Sequence, residues 1–183
     1  MIQIKNAAEL EKMRRACAIS AAALKAGGEA IEPGISTAEI DKIIYDFIVR
    51  HGARPNFLHL YGFPATACIS VNDTVIHGIP SRSQKIRPGD IVSIDTGCKV
   101  DGFNGDNACT FACGKVDKEA QRLLDVTRES LHRGIAAAQA GARIGDIGHA
   151  VQSYVEENGF SVVRAFVGHG VGKELHEDPE VPN

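Results

Sequence analysis

The stretch IVSIDTGCKVDGFNGD, residues 91–106, decides the fold. A run of isoleucine and valine leads into Asp95 and predicts a buried strand over residues 91–95, and a second strand is expected over about residues 105–113. Asp101-Gly102 lies between them and is a dipeptide typical of tight turns. The two strands are therefore predicted to pair as an antiparallel hairpin.

Asp95 and Asp106 lie eleven positions apart on this predicted hairpin. An odd separation puts both carboxylates on one face, either directly opposite each other or on the neighbouring diagonal. Two like charges in one space raise each other's pKa, and a bound cation is the simplest stabiliser. The alternative is a pair of solvated turn aspartates. It suits Asp106 as well as a metal site does, but it suits Asp95 less, because unpaired buried carboxylates are costly.

The rest of the chain predicts an α+β fold. Helices are expected over residues 7–28, 37–50, 117–139 and 144–158, the first two with capping-box pairs at Asn6 with Glu9 and Ser36 with Glu39. A hairpin over residues 66–77 is predicted to turn at Asn72-Asp73 and to end in His77, and a further strand is predicted over residues 160–167. This order is typical of helices covering one face of a largely antiparallel sheet. A length of 183 residues favours one domain.

Charge and composition exclude several classes of function. The net charge of −3 provides no field for holding nucleic acid, so no nucleic-acid partner is expected. The N-terminal residues lack the apolar core of a signal peptide, and no stretch reaches membrane-spanning length, so we expect a soluble, cytoplasmic chain with no membrane partner. Five cysteines without a CxxC pair indicate reduced thiols, and Cys98, Cys109 and Cys113 are predicted to pack in the core.

Three histidines lie where they can contribute to a site. His169 lies within Gly168-His169-Gly170-Val171-Gly172, directly after a predicted strand, where glycines allow close approach of a ligand. His176 follows seven positions later, and His77 ends a predicted strand. Each is also compatible with a turn or surface histidine. No serine has a GxSxG setting, so covalent catalysis is disfavoured, and two aspartates with up to three histidines are typical of a hydrolytic metal site.

Read together, four ordered motifs resemble the type I methionine aminopeptidases: Val75-Ile76-His77-Gly78-Ile79-Pro80, the segment 89–95, the segment 101–106, and Gly168-His169-Gly170-Val171-Gly172 followed by His176-Glu177-Asp178-Pro179. The resemblance covers essentially the whole chain and implies the pita-bread fold, two pseudo-symmetric halves around a dinuclear metal centre.

The resemblance also implies roles for individual residues. The metal ligands implied are Asp95, Asp106 and His169; the catalytic, substrate-contacting histidines are His77 and His176; and the methionine pocket is lined by Phe57, Phe63 and Cys68, with Leu175 at a further wall position. The implied cofactors are two divalent ions, of cobalt, manganese, iron or zinc. The implied substrates are the N-termini of nascent polypeptides with a small second residue. The resemblance also implies that the enzyme is a monomer that acts at the ribosome. The basic loop 82–87 is interpreted as a solvated surface, with a ribosome-docking surface as the alternative.

Family members continue beyond the part matched here with two glutamate ligands and further strands. The resemblance therefore implies a single catalytic domain over residues 1–183 that is C-terminally truncated, with its second half incomplete. Glu174, Glu177 and Glu180 do not lie in the missing motifs. We therefore expect weak metal affinity and little activity from this chain; tight, stoichiometric binding of two metals would contradict this expectation.

Two alternatives stay open. The first is a proline-specific peptidase of the same fold, although such enzymes usually carry an additional N-terminal domain. The second is an inert scaffold that binds peptide without turnover. The presence of Asp95, Asp106 and the three histidines favours an enzyme, and the absence of the two glutamates favours the scaffold.

Overall fold

A computed structural model describes all residues, 1–183. The chain forms two compact units. The sheet unit consists of Ile4–Val116 with Val171–Leu175, and the helix-pair unit consists of Met1–Gln3, Asp117–Gly170 and His176–Asn183. None of the helices combines the length and the hydrophobicity needed to cross a bilayer.

The sheet unit contains two helices and a four-stranded antiparallel sheet. Its elements are α1 (Ala7–Glu29), α2 (Thr37–Arg50), β1 (Arg54–Pro55), a 3-10 turn (Leu60–Gly62), β2 (Ala67–Val71), β3 (Ile91–Val100) and β4 (Phe103–Ala112). Strand β3 is central, because all other strands of this sheet pair with it. Strand β2 pairs with residues 92–96 and β1 with residues 98–99, whereas β4 pairs along the whole length of β3. Both predicted helices are confirmed.

Both helices begin at the capping boxes expected from the sequence. The Glu9 amide donates to Asn6 Oδ1 and the Asn6 amide donates back to Glu9, each at 3.0 Å. Ser36 and Glu39 make the same reciprocal pair at the start of α2. These bonds satisfy backbone N–H groups that have no partner within the helix.

The predicted β3–β4 hairpin is confirmed, and both strands are longer at the turn than expected. Val100 pairs with Phe103, so the loop has only the two residues Asp101 and Gly102. Both have positive φ, 52° and 82°, as a type I′ turn requires. This turn leaves a single register for the two strands.

The core of the sheet unit lies between the helices and one face of the sheet. Even-numbered residues of β3, including Val92, Ile94 and Cys98, are fully buried together with Ile40 and Ile44 of α2. The predicted burial of Cys98 and Cys113 is confirmed, but the prediction for Cys109 is wrong, because Cys109 is exposed on the edge strand β4.

Helix α1 packs directly on the backbone of β4 at Gly105. A Cβ atom built on Gly105 would lie 2.5 Å from the Ala16 carbonyl carbon, a distance that no real side chain adopts. Only glycine therefore lets the helix approach the strand this closely.

Replacing Gly105 with alanine is expected to lower the free energy of unfolding by on the order of 3 kcal/mol, because the new methyl group meets backbone atoms that cannot rotate away. Urea unfolding followed by circular dichroism measures the loss. Gly145→Ala is the matched control, since no atom lies within 4 Å of a Cβ built there. Equal stability of the two variants would contradict the packing described here.

The prediction of an extended strand at residues 75–77 is wrong, because these residues form a loop. Asn72 is bound to the start of β3 instead. Its backbone N–H donates to the Ile91 carbonyl at 2.9 Å, and its side-chain Oδ1 accepts from the Ile91 backbone N–H at 3.0 Å. The chain returns to β2 only at Gly78, whose carbonyl accepts from the Ile69 amide at 2.8 Å. One backbone bond does not make a strand.

The helix-pair unit contains α3 (Lys118–Ala137), α4 (Ile144–Glu157), β5 (Gly168–Gly170) and β6 (Glu177–Val181). Both predicted helices are confirmed, and Gly134 of α3 lets Val151 of α4 pack closely. Strands β5 and β6 pair in antiparallel orientation.

The prediction of a strand over residues 160–167 is wrong, and β5 begins only at Gly168. A strand needs a partner for its backbone groups. Here the carbonyls of Val163 and Phe166 accept instead from the side-chain amide of Asn183, at 3.1 and 3.2 Å. Strand propensity alone therefore does not produce a strand in this segment.

Candidate metal centre

The β3–β4 register places Asp95 and Asp106 on the same face of the sheet. Asp95 pairs with Ala108 and Asp106 pairs with Gly97, so the two aspartates occupy a diagonal two residues apart. This is the second of the two arrangements expected from their spacing. The face is the one opposite to α1 and α2, because the even-numbered residues of β3 face the core.

The two carboxyl groups interact directly. Burial, the charge of Asp106 and a hydrogen bond with Asp106 together raise the pKa of Asp95 to about 7, and burial has the largest effect. The pair therefore holds a proton that an isolated aspartate would lose near pH 4. A divalent cation held by Asp95 and Asp106 would replace that proton and compensate both charges.

Cys68 lies directly opposite Asp95 on β2, so its side chain shares the face of the two aspartates. Burial, as the largest effect, and the charges of Asp95, Asp106 and Asp41 together raise the pKa of the Cys68 thiol to about 12. The thiol is therefore uncharged at neutral pH, and it serves as an apolar wall rather than a nucleophile.

Phe57 lies beside the same carboxylates. Its Cε1 atom lies 3.4 Å from the point that a Cβ on Gly97 would occupy, and Gly97 is the register partner of Asp106. Phe63 belongs to the same loop, which folds back on itself because the Leu60 amide donates to the Phe57 carbonyl and the Phe63 amide donates to the Leu60 carbonyl, both at 2.9 Å. The loop thus presents one buried and one half-buried aromatic ring.

The sequence analysis did not predict a role for Asp41. Its Oδ1 accepts from the amides of Thr66 and Ala67 at 2.9 and 2.8 Å, and so it anchors the start of β2 just before Cys68. Burial raises the pKa of Asp41, and the two amide hydrogen bonds partly offset this effect. The available signal was a carboxylate within the apolar pattern of α2, next to Ile40 and close to Ile44.

His77 lies in the exposed loop after β2 and has the left-handed φ of 57°. The next residue, Gly78, is held against β2, where its amide donates to Ser70 Oγ at 3.1 Å. A Cβ on Gly78 would lie 2.2 Å from the Ile69 carbonyl oxygen, so the loop approaches the strand as closely as its backbone permits. Two anchors on β2 therefore set the position of His77.

His169 and His176 are neighbours in the helix-pair unit. Their rings meet edge to face with 4.4 Å between centroids. His169 Nδ1 lies 3.0 Å from the Gly170 carbonyl oxygen, which can only accept, so Nδ1 carries the proton. Metal-ligating histidines are commonly oriented in this way, by a backbone carbonyl that accepts from one ring nitrogen.

Neither unit contains three or more histidine, cysteine, aspartate or glutamate side chains grouped closely enough to hold a metal ion. Four of the predicted site residues instead form two pairs, Asp95 with Asp106 in the sheet unit and His169 with His176 in the helix-pair unit. The aspartate pair is joined by Cys68 and Phe57 on its own face of the sheet.

Comparisons with known proteins identify the family. A family model described as metallopeptidase family M24 matches residues 11–183. A methionine aminopeptidase from Clostridium perfringens is 51% identical over 183 residues, which is 100% of this chain and 73% of that protein. The chain belongs to the methionine aminopeptidases of metallopeptidase family M24.

Solved structures of this family agree with the assignment. A methionine aminopeptidase from Rickettsia prowazekii superposes with a TM-score of 0.97 at 37% identity, covering 100% of this chain and 73% of that chain. A prolidase from Pyrococcus furiosus shares the fold with a TM-score of 0.86, but at 25% identity and over 52% of its length. The predicted α+β pita-bread fold is confirmed, and the proline-specific alternative is disfavoured.

A divalent metal cofactor follows from membership of this metallopeptidase family. The sheet unit fits such a cofactor, because Asp95 and Asp106 supply two adjacent carboxylates whose mutual repulsion only a proton or a cation relieves.

The metal-free chain is expected to become less stable as the pH rises from about 4 to about 7. An unfolded aspartate loses its proton near its ordinary pKa of 3.8, whereas folded Asp95 keeps it to about 7. The folded state therefore binds more protons in this window, and the free energy of unfolding falls with increasing pH. Urea unfolding of chelator-treated protein across the window measures the slope.

Asp95→Asn is the matched variant, because asparagine has nearly the same side-chain shape as aspartate but no carboxyl group that titrates. Its unfolding free energy is expected to change less over the same pH window than that of the original chain. An unchanged slope in the variant would show that Asp95 does not carry this pH dependence.

Asp41→Ala is expected to lower the free energy of unfolding by about 3 kcal/mol, because it leaves two buried amide N–H groups without an acceptor. Asp41→Asn keeps an oxygen acceptor and is expected to cost less. Thermal and urea unfolding of the two variants measure the difference. Equal losses would assign the effect to the charge rather than to the two amide bonds.

Proposed function

We propose that this chain removes the N-terminal methionine from polypeptides with a small second residue, using metal-activated water. The observation that supports this function best is that Asp95 and Asp106 are hydrogen-bonded to each other on the same face of the sheet as Cys68 and Phe57, which form an uncharged wall. A cation site and an apolar pocket then lie side by side, which is what cleavage after a methionine side chain needs.

We propose Asp95, Asp106 and His169 as metal ligands for two divalent ions. The proton on Nδ1 of His169 and the motif Gly168–Gly170 support its role. Carboxylate and imidazole ligands suit manganese, iron, cobalt and zinc. When bound, the metal supplies a water of lowered pKa and polarises the scissile carbonyl.

The remaining residues position the substrate. Phe57, Phe63 and Cys68 surround the first side chain, with Leu175 as a further wall, and an uncharged thiol tolerates a polarisable thioether. His77 and His176 contact the scissile peptide, where imidazole N–H groups donate to the carbonyl oxygen and pass a proton to the leaving amine. Both histidines therefore act as catalytic residues.

The substrates are the N-termini of nascent chains, which first become available at the ribosome. Within the basic loop 82–87, Lys85 is already paired with Glu39 at 3.1 Å, which supports a solvated loop rather than a docking surface. We propose that both units belong to one catalytic domain over residues 1–183, acting as a cytoplasmic monomer without nucleic-acid or membrane partners.

The proposal is tested by methionine release from a Met-Ala peptide with added manganese or cobalt. We expect slow release that a chelator abolishes, and slower release still from a Met-Leu peptide. Asp95→Asn and Asp106→Asn are expected to lower the rate at least about a hundredfold, because each removes one of the charges that hold the metal.

Absence of release under every metal would contradict the proposed activity. If Met-Ala peptide still bound to the metal-loaded chain, the inert peptide-binding scaffold would be the better description. If a Pro-containing dipeptide were cleaved in preference to Met-Ala, the proline-specific alternative would be restored.

A further inference from the structure

Asn56 lies beside the face of the sheet that carries Asp95 and Asp106. It follows β1 directly, and its backbone amide donates to the Gly97 carbonyl at 3.0 Å, which extends the β1–β3 pairing by one residue. Gly97 in turn pairs with Asp106 on β4. Asn56, Gly97 and Asp106 are therefore consecutive neighbours across three strands.

The side chain of Asn56 reaches over Gly97, which has no side chain of its own. Asn56 Nδ2 lies 3.0 Å from the point that a Cβ on Gly97 would occupy, and Phe57 Cε1 lies 3.4 Å from the same point. That point is on the side of β3 from which Asp95 also projects, because residues 95 and 97 have the same parity. The amide and the aromatic ring thus border the carboxylate pair together.

The Nδ2 atom of Asn56 is buried and has no hydrogen-bond partner. A buried donor without an acceptor is costly, and native structures rarely contain one without a reason. The nearby carboxylate of Asp106 is engaged with Asp95 by a hydrogen bond. An acceptor for Asn56 is therefore expected to arrive with a ligand.

The chemistry of the surroundings restricts that acceptor. Phe57 and Cys68 are both buried and suit a hydrocarbon chain. The Gly105 carbonyl oxygen lies 2.9 Å from the same point over Gly97, but it makes no hydrogen bond with Asn56. A methionine side chain in such surroundings brings one acceptor, its thioether sulfur. Norleucine has the same length and a methylene group in place of the sulfur, so it would leave the Asn56 donor without a partner.

We propose that Asn56 is a specificity-determining residue whose Nδ2–H donates to the thioether sulfur of the substrate's first residue. This inference rests on the proposed function, and it adds the group by which the pocket distinguishes sulfur from methylene at equal size. The aromatic rings and Cys68 select the substrate's first side chain by its shape, and Asn56 selects it by the presence of a hydrogen-bond acceptor.

The test compares two non-hydrolysable ligands, a Met-Ala dipeptide and a norleucine-Ala dipeptide whose peptide bonds are reduced to amines. Their dissociation constants for the manganese-loaded chain are measured by calorimetry. We expect the original chain to prefer the methionine ligand by about fivefold, the value of one net hydrogen bond. Asn56→Leu, which keeps the approximate shape, and Asn56→Ala are both expected to bring the ratio close to one.

Asn107→Ala is the matched control. Asn107 Nδ2 is also buried without a partner, but Asn107 pairs with Thr96 and projects from the opposite face of the sheet. This variant is expected to keep the preference for methionine, because its amide does not border the carboxylate pair.

Three results would overturn the inference. An unchanged ratio in the Asn56 variants, with methionine still bound, would overturn it and leave the proposed function standing. An equal loss of affinity for both ligands would show that Asn56 supports the metal face rather than the sulfur. Failure of the original chain to bind either ligand would overturn the proposed function, and this inference with it.

Discussion

The register of the β3–β4 hairpin is the constraint on which the sheet unit depends. A two-residue turn at Asp101 and Gly102 leaves one way to pair the strands, and a slip by one residue would move a carboxylate to the core face. The same register places Gly105 under α1, so the helix and the acidic face are set by one pairing. Packing on one side of the sheet and chemistry on the other are thus coupled through the backbone of β4.

The electrostatic consequence of that register is a face that favours cations. Asp95 and Asp106 raise the proton affinity of the pair, and their charges also suppress ionisation of Cys68 across the strand. A structural protein would gain nothing from two carboxylates in this position, because their burial and repulsion oppose folding. In a metallopeptidase the same arrangement is compensated whenever the metal is bound.

The polar groups around this face differ in what holds them. Asp41 Oδ1 accepts from two backbone amides and therefore supports β2, whereas the side-chain amide nitrogen of Asn56 lacks an acceptor next to the carboxylate face. In the helix-pair unit, the Gly170 carbonyl accepts from His169 Nδ1 and so orients the imidazole ring. On the carboxylate face, a polar group that is hydrogen-bonded to the backbone supports structure, and a buried donor without an acceptor points to a ligand.

Local features of the sequence determined most of the fold. Some features act within a few residues and could be predicted directly from the sequence: the capping boxes at Asn6 and Ser36, the turn at Asp101-Gly102, and the apolar periodicity of four helices. The shared face of Asp95 and Asp106 could be predicted in the same way, from their spacing across the turn. Tertiary structure decided the rest. Residues 160–167 have strand composition but no strand partner. Residues 75–77 form a loop, and Asn72 before them is bound to the start of β3. The roles of Asp41 and Asn56 depend on strands that are distant in sequence. Backbone pairing and burial join residues far apart along the chain, and composition and spacing do not record which ones meet.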